Sequence, residues 1–471
     1  MKYDYEDLYA AKKTYGQDIN TSLGNAADPI DADQKLQEDA LMSYVASVNY
    51  SYGDKYYASF SFRRDGSSRL SPDTRWGNFW SLSASWRLSQ ERFMQPLKSV
   101  LSDLKLRASY GVNGNLPSSY YGYQSTYTTG AFYSGKPSPW ESTLGNEELT
   151  WEKNYALNLG LDIGLFSRVN VSLDWYTRTT KDLLMSKQLN SISGFSSLLT
   201  NVGQMRNTGV ELEVRSNNIK TKDFSWTTAF NLSHNKNKIL KLADLPWFVD
   251  GRYVRKEGYP FNTIYLREYA GVDPETGSAL YYDNQQDENG NYTKNKVTDP
   301  GQASPIPLKD ITPTISGGFM NTFNYKFIDL SFNLSYSFGG YSYDNASYIL
   351  QDDGYSVISN KSTEQRRRWQ KPGDITDVPR FVYGNKKGGN YNSSRAIHST
   401  DHIRLKSLIL GLNAPKAWLQ KLGIGNARIY FSGTNLLTWA AYDQYDPEMS
   451  GVVGFYTPPL KTYAFGLELK F

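Results

Sequence analysis

Strict alternation with a period of two recurs along this chain for about ten residues at a time, and it limits the possible folds more than any other feature. In YALNLGLDIGL, Tyr155, Leu157, Leu159, Leu161, Ile163 and Leu165 share one face, while Asn158, Gly160, Asp162 and Gly164 share the other. In IDLSFNLSYSF, Ile328, Leu330, Phe332, Leu334, Tyr336 and Phe338 oppose Asp329, Ser331, Asn333, Ser335 and Ser337. WSLSASWRL (80–88) and RVNVSLDW (168–175) repeat the pattern. Alternation of this kind specifies strands with one apolar and one polar face, not helices.

Thirteen such segments are predicted, at 41–52, 55–64, 78–89, 104–113, 152–165, 168–181, 207–217, 223–234, 312–325, 327–338, 401–413, 426–436 and 460–471. Three further stretches, 119–128, 262–270 and 341–350, are candidates for strands inside or above the wall. Strands of about 11–13 residues exceed the ~5–6 usual in globular sheets and match a tilted bilayer crossing. In 401–413 the apolar phase moves from Ile403 and Leu405 to Leu408, Leu410 and Leu412, which predicts a β-bulge near Ser407.

Connection lengths alternate too. Short turns such as GD (53–54), FSR (166–168) and YKF (325–327) take turns with long loops at 114–151, 235–311, 339–400 and 437–459. Short turns on one rim and long loops on the other are the plan of an outer-membrane β-barrel. PKAWLQKLG (415–423) predicts a short helix within one moderate connection. A soluble β-sandwich or propeller also alternates, but neither needs this length or loop asymmetry. Thirteen strands beginning on the long-loop side cannot close an antiparallel barrel. The sequence therefore reads as an all-β, antiparallel transmembrane barrel portion of about 13–16 strands, open or incomplete in isolation. Residues 1–40 are assigned to an extracellular loop or incoming segment, and 41–471 to the barrel.

Composition supports the membrane reading. Aromatics make up 15% of the chain, with 37 Tyr and 11 Trp, as two interfacial girdles would require. No stretch approaches ~18 consecutive apolar residues, so no transmembrane helix is predicted. The first twenty residues carry no apolar core of the signal-peptide kind, so the chain is either not exported or starts downstream of the true beginning. With no Cys, disulfides and thiolate sites are excluded, and a net charge of +4 gives no nucleic-acid footprint.

The order of several segments resembles the SusC/RagA-type TonB-dependent transporters of Bacteroidota outer membranes. The resemblance is carried by FRRDGSSRL, RWGNFWSLSASWRLS, LKLRASYGVNGN, LGNEELTWEKNYALNLGLDIGLF, NVGQMRNTGVELEV, YAGVDPETGSALYYD, STEQRRRWQKPGDITDVPR, IRLKSLILGLNAP and ARIYFSGTNLLTW, across roughly residues 41–471. It implies a 22-stranded barrel with an N-terminal plug, driven through TonB. It further implies import of a large nutrient, oligosaccharide or peptide, under a SusD-like lipoprotein lid. No plug or TonB-contacting segment is recognised here, so the chain resembles the C-terminal part of such a barrel. The alternatives are a passive outer-membrane pore or anchor, and a soluble carbohydrate-binding β-protein. The resemblance also gives the last strand, with Tyr463, Phe465, Leu467, Leu469 and Phe471 on one face, the role of barrel-insertion signal. In a portion of a barrel this strand is expected to keep an unpaired edge.

No enzyme chemistry is indicated, and no catalytic, cofactor or metal residues are assigned. His234, His398 and His402 lack metal-ligand spacing. DNQQDENGNYTKN (283–295) is acidic but departs from the calcium-loop arrangement; its Asn-Gly instead predicts a hairpin of type I′. RRRW (366–369) follows Ser362, a candidate N-cap, and reads either as a solvated extracellular helix or as a surface for lipopolysaccharide phosphates or the lid. Two aromatic loop stretches are the first candidates for substrate or lid contacts: Tyr120, Tyr121, Tyr123, Tyr127, Phe132 and Tyr133 in one, and Trp247, Arg252 and Tyr253 in the other.

Overall fold

Fourteen strands share one sheet and neighbour each other in chain order, an up-and-down meander. They are β1 (Lys2–Tyr15), β2 (Ala26–Tyr52), β3 (Tyr56–Ser67), β4 (Trp76–Arg87), β5 (Leu101–Asn115), β6 (Glu152–Leu165), β7 (Val169–Lys181), β8 (Gln204–Lys220), β9 (Phe224–Lys241), β10 (Ile315–Tyr325), β11 (Ile328–Phe338), β12 (His402–Asn413), β13 (Asn426–Ala440) and β14 (Thr462–Lys470). The structure is a computed structural model. It describes residues 2–15, 26–128, 132–242, 246–385, 391–419 and 423–471, and among these the side chains from Leu36 onward apart from Pro137, Ser191, Lys416 and Ala417. Two compact units divide the chain. One comprises Met1–Ser85, Ala108–Asn158 and Arg178–Met205; the other comprises Trp86–Arg107, Leu159–Thr177 and Arg206–Phe471.

The alternating segments become the wall strands, with two differences. First, residues 1–40 are not a loop throughout: Lys2–Tyr15 pairs antiparallel with 26–40. In KYDYEDLYAAKKTY the set Tyr3, Tyr5, Tyr9 and Tyr15 is interrupted by Asp7 and Lys13, so alternation does not mark it. Among the described residues the wall has fourteen strands, within the 13–16 expected and one more than the alternating segments. Second, several strands outrun their apolar stretch. β9 continues to Lys241 and β13 to Ala440, beyond the predicted ends at 234 and 436. Alternation reports only the belt that meets lipid; the ladder goes on past it.

Other features match their sequence signals. Against β11, Asn333 pairs with Ser407 and Leu334 with Leu405, which leaves Lys406 as the bulged residue. Gly53 and Asp54 both take left-handed backbone (φ +58° and +56°), and the Lys55 N–H donates to the Tyr52 carbonyl at 3.1 Å, which closes a tight turn in a three-residue hairpin loop. The helix expected in PKAWLQKLG covers Lys416–Leu419, and 420–422 lie outside the described residues. The stretches 119–128, 262–270 and 341–350 contribute strands Thr126–Thr128, Thr263–Leu266 and Tyr341–Asp344, all in small sheets separate from the wall. β14 pairs with β13 and stands at the sheet's edge, as expected of a portion of a barrel.

The two faces behave as alternation requires. Exposed apolar side chains line one face: Leu82 and Trp86 on β4, Leu410 and Leu412 on β12, Ile429 and Trp439 on β13, and Phe465 and Leu467 on β14. In a soluble domain so large an apolar surface would be anomalous; against lipid it is the required state. The opposite face carries ion pairs between strands. Arg107 on β5 reaches Asp162 on β6 (Nε to Oδ2, 2.8 Å) and Asp174 on β7 (Nη2 to Oδ2, 2.9 Å). Asp329 on β11 accepts from Arg428 Nη2 on β13 at 2.5 Å, across the intervening β12. That span exists because position 411 is glycine: a Cβ there would lie 2.4 Å from Asp329 Oδ1.

Gly317 on β10 serves the other face in the same way. The Tyr336 hydroxyl passes over it to donate to the Asn231 carbonyl at 2.7 Å. A Cβ at 317 would sit 2.1 Å from that carbonyl and 2.4 Å from the hydroxyl. Gly317→Ala is therefore expected to displace Tyr336 and to cost about 1–3 kcal/mol, the range for overpacking. Urea unfolding of the chain in lipid vesicles, beside Gly318→Ala as a less crowded control, checks this.

Candidate functional site

The long loop between β9 and β10 folds into a small four-stranded sheet in the order Trp247–Asp250, Tyr253–Lys256, Thr263–Leu266, Ile306–Asp310. Buried Val254, Ile264 and Leu266 supply its apolar side. A second, three-stranded sheet follows, from Tyr269–Val272, Ala279–Tyr282 and Lys296–Val297. Tyr281 is fully buried beneath it, and burial pushes the Tyr281 and Tyr269 hydroxyls well above the usual phenol range.

The acidic stretch 283–295 is a hairpin extension, not a calcium loop. Gln286 bridges to Tyr292, the Asp287 carbonyl accepts the Gly290 N–H at 2.9 Å, and Asp287 Oδ1 accepts the N–H groups of Asn289 and Asn291. Gly290 is left-handed (φ +79°) but Asn289 is not, so the turn is not the type I′ that Asn-Gly suggests. A type I turn closed by a left-handed glycine is the other common hairpin solution. Among the described residues, no group of three or more acidic or histidine side chains is arranged to hold a metal ion.

Between the four-stranded sheet and this hairpin lies an open cleft of about 470 Å³. Trp247, Lys256 and Tyr265 face it from the sheet, and Gln286 and Tyr292 from the hairpin. Val254, Asn284, Gln285, Ser304, Pro305 and Pro307 complete its lining. The register sets Trp247 directly across from Lys256, and the Trp247 and Tyr265 rings lie 5.9 Å apart. Burial, with the Tyr292 hydroxyl nearby, raises the Tyr265 hydroxyl above its ordinary value, so it stays a proton donor at neutral pH. Aromatic faces with amide and hydroxyl groups beside them suit a ligand with flat apolar patches and many hydrogen-bonding groups.

Of the residues singled out in sequence, Trp247 lines this cleft. Arg252 and Tyr253 turn into the loop body. The Arg252 guanidinium lies 4.5 Å from the Tyr343 ring and donates to Asn345 Oδ1 at 3.4 Å. Tyr253 packs against the Ile264–Leu266–Tyr343 core. In the other stretch, Arg69 stacks over Tyr120 at 4.1 Å, and the Tyr121 hydroxyl accepts the Glu38 N–H at 3.1 Å. Tyr123 accepts from Gln124 at 2.7 Å. Tyr127, Phe132 and Tyr133 are exposed. Tyr463, Phe465, Leu467, Leu469 and Phe471 all remain exposed along β14 and the terminal residue beyond it. Lys256, Gln286 and Tyr292 were missed; only the Trp247–Lys256 register could have revealed the first.

RRRW anchors the loop from above. Ser362 caps the 3-10 helix Thr363–Arg367 by accepting the Glu364 N–H. Arg367 pairs with Glu364 and Asp377 at 2.8 and 2.7 Å, and the Trp369 indole donates to the Pro274 carbonyl at 2.8 Å. Deeper in, Arg395 and Asp353 form a buried ion pair, Nη1 to Oδ2 at 2.6 Å.

Residues 2–264 match the family model "TonB dependent receptor-like, beta-barrel". TonB-dependent receptor P3 of Formosa agariphila is 33% identical over 93% of this chain and 46% of its own length. TonB-dependent receptor SusC of Bacteroides thetaiotaomicron is 31% identical over 93% of this chain and 45% of its own. The solved RagAB peptide transporter superposes with a TM-score of 0.89 at 30% identity, over the whole of this chain and 52% of that one. The chain thus spans about half the length of the relatives it matches. With its lipid-facing apolar belt, its meander of long strands and its one-sided long loops, the chain belongs to the TonB-dependent receptor β-barrel family, as a SusC/RagA-type barrel of the outer membrane.

Proposed function

We propose that this chain is the C-terminal barrel part of a TonB-dependent importer for a large nutrient, an oligosaccharide or a peptide, and that a SusD-like lipoprotein covers its long-loop side. The cleft carries this reading: Trp247, Tyr265 and Tyr292 offer flat faces beside the Gln286 amide, in a loop beyond the wall. The name RagAB peptide transporter supports import by a protein of this build. Exposed Tyr127, Phe132 and Tyr133 are offered as lid contacts. Energy from TonB would enter through the part of the protein outside this chain.

Calorimetric titration of the chain in detergent with a panel of oligosaccharides and peptides tests the cleft. Trp247→Ala is expected to weaken the best ligand at least about fivefold, since losing a stacked aromatic face removes roughly 1 kcal/mol or more. Absence of binding across the panel, or unchanged affinity in the variant, removes the cleft from the import path.

A further inference from the structure

The neighbourhood of the cleft is rich in carboxylates, yet none lines the cleft among the described residues. Four of the nearby acids are engaged elsewhere. Glu268 pairs with Lys294. Asp283 accepts from Thr293 at 2.7 Å and Asn295 at 2.9 Å. Asp287 is consumed by its own turn. Asp250, across the hairpin from Tyr253, pairs with Arg255 at 2.9 Å. Lys256 is the cation on the cleft lining, and its ammonium lies 5.1 Å from the Tyr259 ring with no carboxylate at ion-pair distance among the described residues. The other polar residues of the lining are Tyr265, Asn284, Gln285, Gln286, Tyr292 and Ser304, all neutral and all carrying a donor. The lining is therefore one positive charge among neutral hydroxyls and amides, beside an aromatic platform.

We infer that the cleft recognises an acidic group on its ligand, with Lys256 meeting the carboxylate and Trp247 stacking on the adjoining face. This deepens the importer reading and rests on it: the nutrient would be an oligomer bearing carboxylates. A uronic-acid oligosaccharide and an acidic peptide share that chemistry, and the test separates them. A carboxylate taken from water needs donors to replace its hydration, and charge-assisted hydrogen bonds supply roughly twice the strength of neutral ones.

The full chain in detergent is titrated with trigalacturonate, with its methyl ester and with triglutamate, in low and in moderate salt. The ester keeps the sugar shape and removes the charge. Trigalacturonate or triglutamate is expected to bind about tenfold tighter than the ester, with the preference shrinking as salt rises. Lys256→Gln is expected to abolish the preference, bringing acid binding to the level of the ester measured in the same variant. Whichever acid binds tighter identifies the source of the carboxylate. Equal affinity for acid and ester, or a preference that survives Lys256→Gln, overturns the inference while leaving a neutral-ligand importer intact. No binding by any of the three, together with none across the wider panel, overturns the importer reading of the cleft as well.

Discussion

Asp353→Ala is expected to release the long loop between β11 and β12 while leaving the wall folded. Asp353 is fully buried and holds left-handed backbone, φ +53°. Its carboxylate accepts from Arg395 Nη1 at 2.6 Å and Nη2 at 3.2 Å, and from Gln365 Nε2 at 3.0 Å. Removing it strands a buried guanidinium, at a cost of about 3–5 kcal/mol. Alanine also tolerates the left-handed region less well than aspartate does, so Asp353→Asn separates charge from backbone: the asparagine variant keeps the conformation and loses the ion pair.

The consequence reaches the cleft, because the Ser394 hydroxyl next to Arg395 accepts the Tyr269 N–H at 2.9 Å and so ties this loop to the sheet that carries the 283–295 hairpin. Hydrogen exchange over 341–399 is expected to accelerate sharply in both variants, and ligand affinity at the cleft to fall with it. A double variant, Asp353→Ala with Arg395→Met, is expected to recover part of the protection, since no charge is then stranded. Unchanged exchange in the single variants would show that the pair is a passenger.

The contrast between wall and loops explains what the sequence made legible. IDLSFNLSYSF announces β11 because lipid on one side and water on the other impose a separate demand on every second residue. The Lys406 bulge was visible for the same reason: one extra residue flips the apolar phase between Leu405 and Leu408. β1 gave no clear sign because Asp7 and Lys13 interrupt the Tyr3, Tyr5, Tyr9 and Tyr15 face of KYDYEDLYAAKKTY. The loops obey neither rule. Trp247 could be picked out as an aromatic in a long loop, but that it faces Lys256 follows from hairpin register, and that Tyr292 closes the opposite side follows from tertiary packing. Arg252 and Tyr253 show the converse. By residue type they suited a binding surface, yet Arg252 lies over Tyr343 and Tyr253 fills the core beneath it.

Leu410→Arg on β12 is expected to be the most damaging single change in the wall. Leu410 is 43% exposed on the apolar face, set between Leu330 of β11 and Phe431 of β13. Because β12 is paired on both sides, arginine there cannot escape by fraying, and reaching the interface would take it past neighbouring apolar side chains. The cost is about 2–4 kcal/mol near mid-bilayer and falls toward either interface. Ser432→Arg on β13 is the matched control, a comparable change on the polar face, where water solvates the charge and the cost is expected to be small. Folding into lipid vesicles, read as the heat-modifiable gel shift across a urea series, is expected to lose stability for Leu410→Arg and not for Ser432→Arg. The sign of the difference is the discriminating result: if Ser432→Arg were the more harmful, the face now assigned to lipid would be the one that lines water, and every strand from β2 to β14 would have to be turned over.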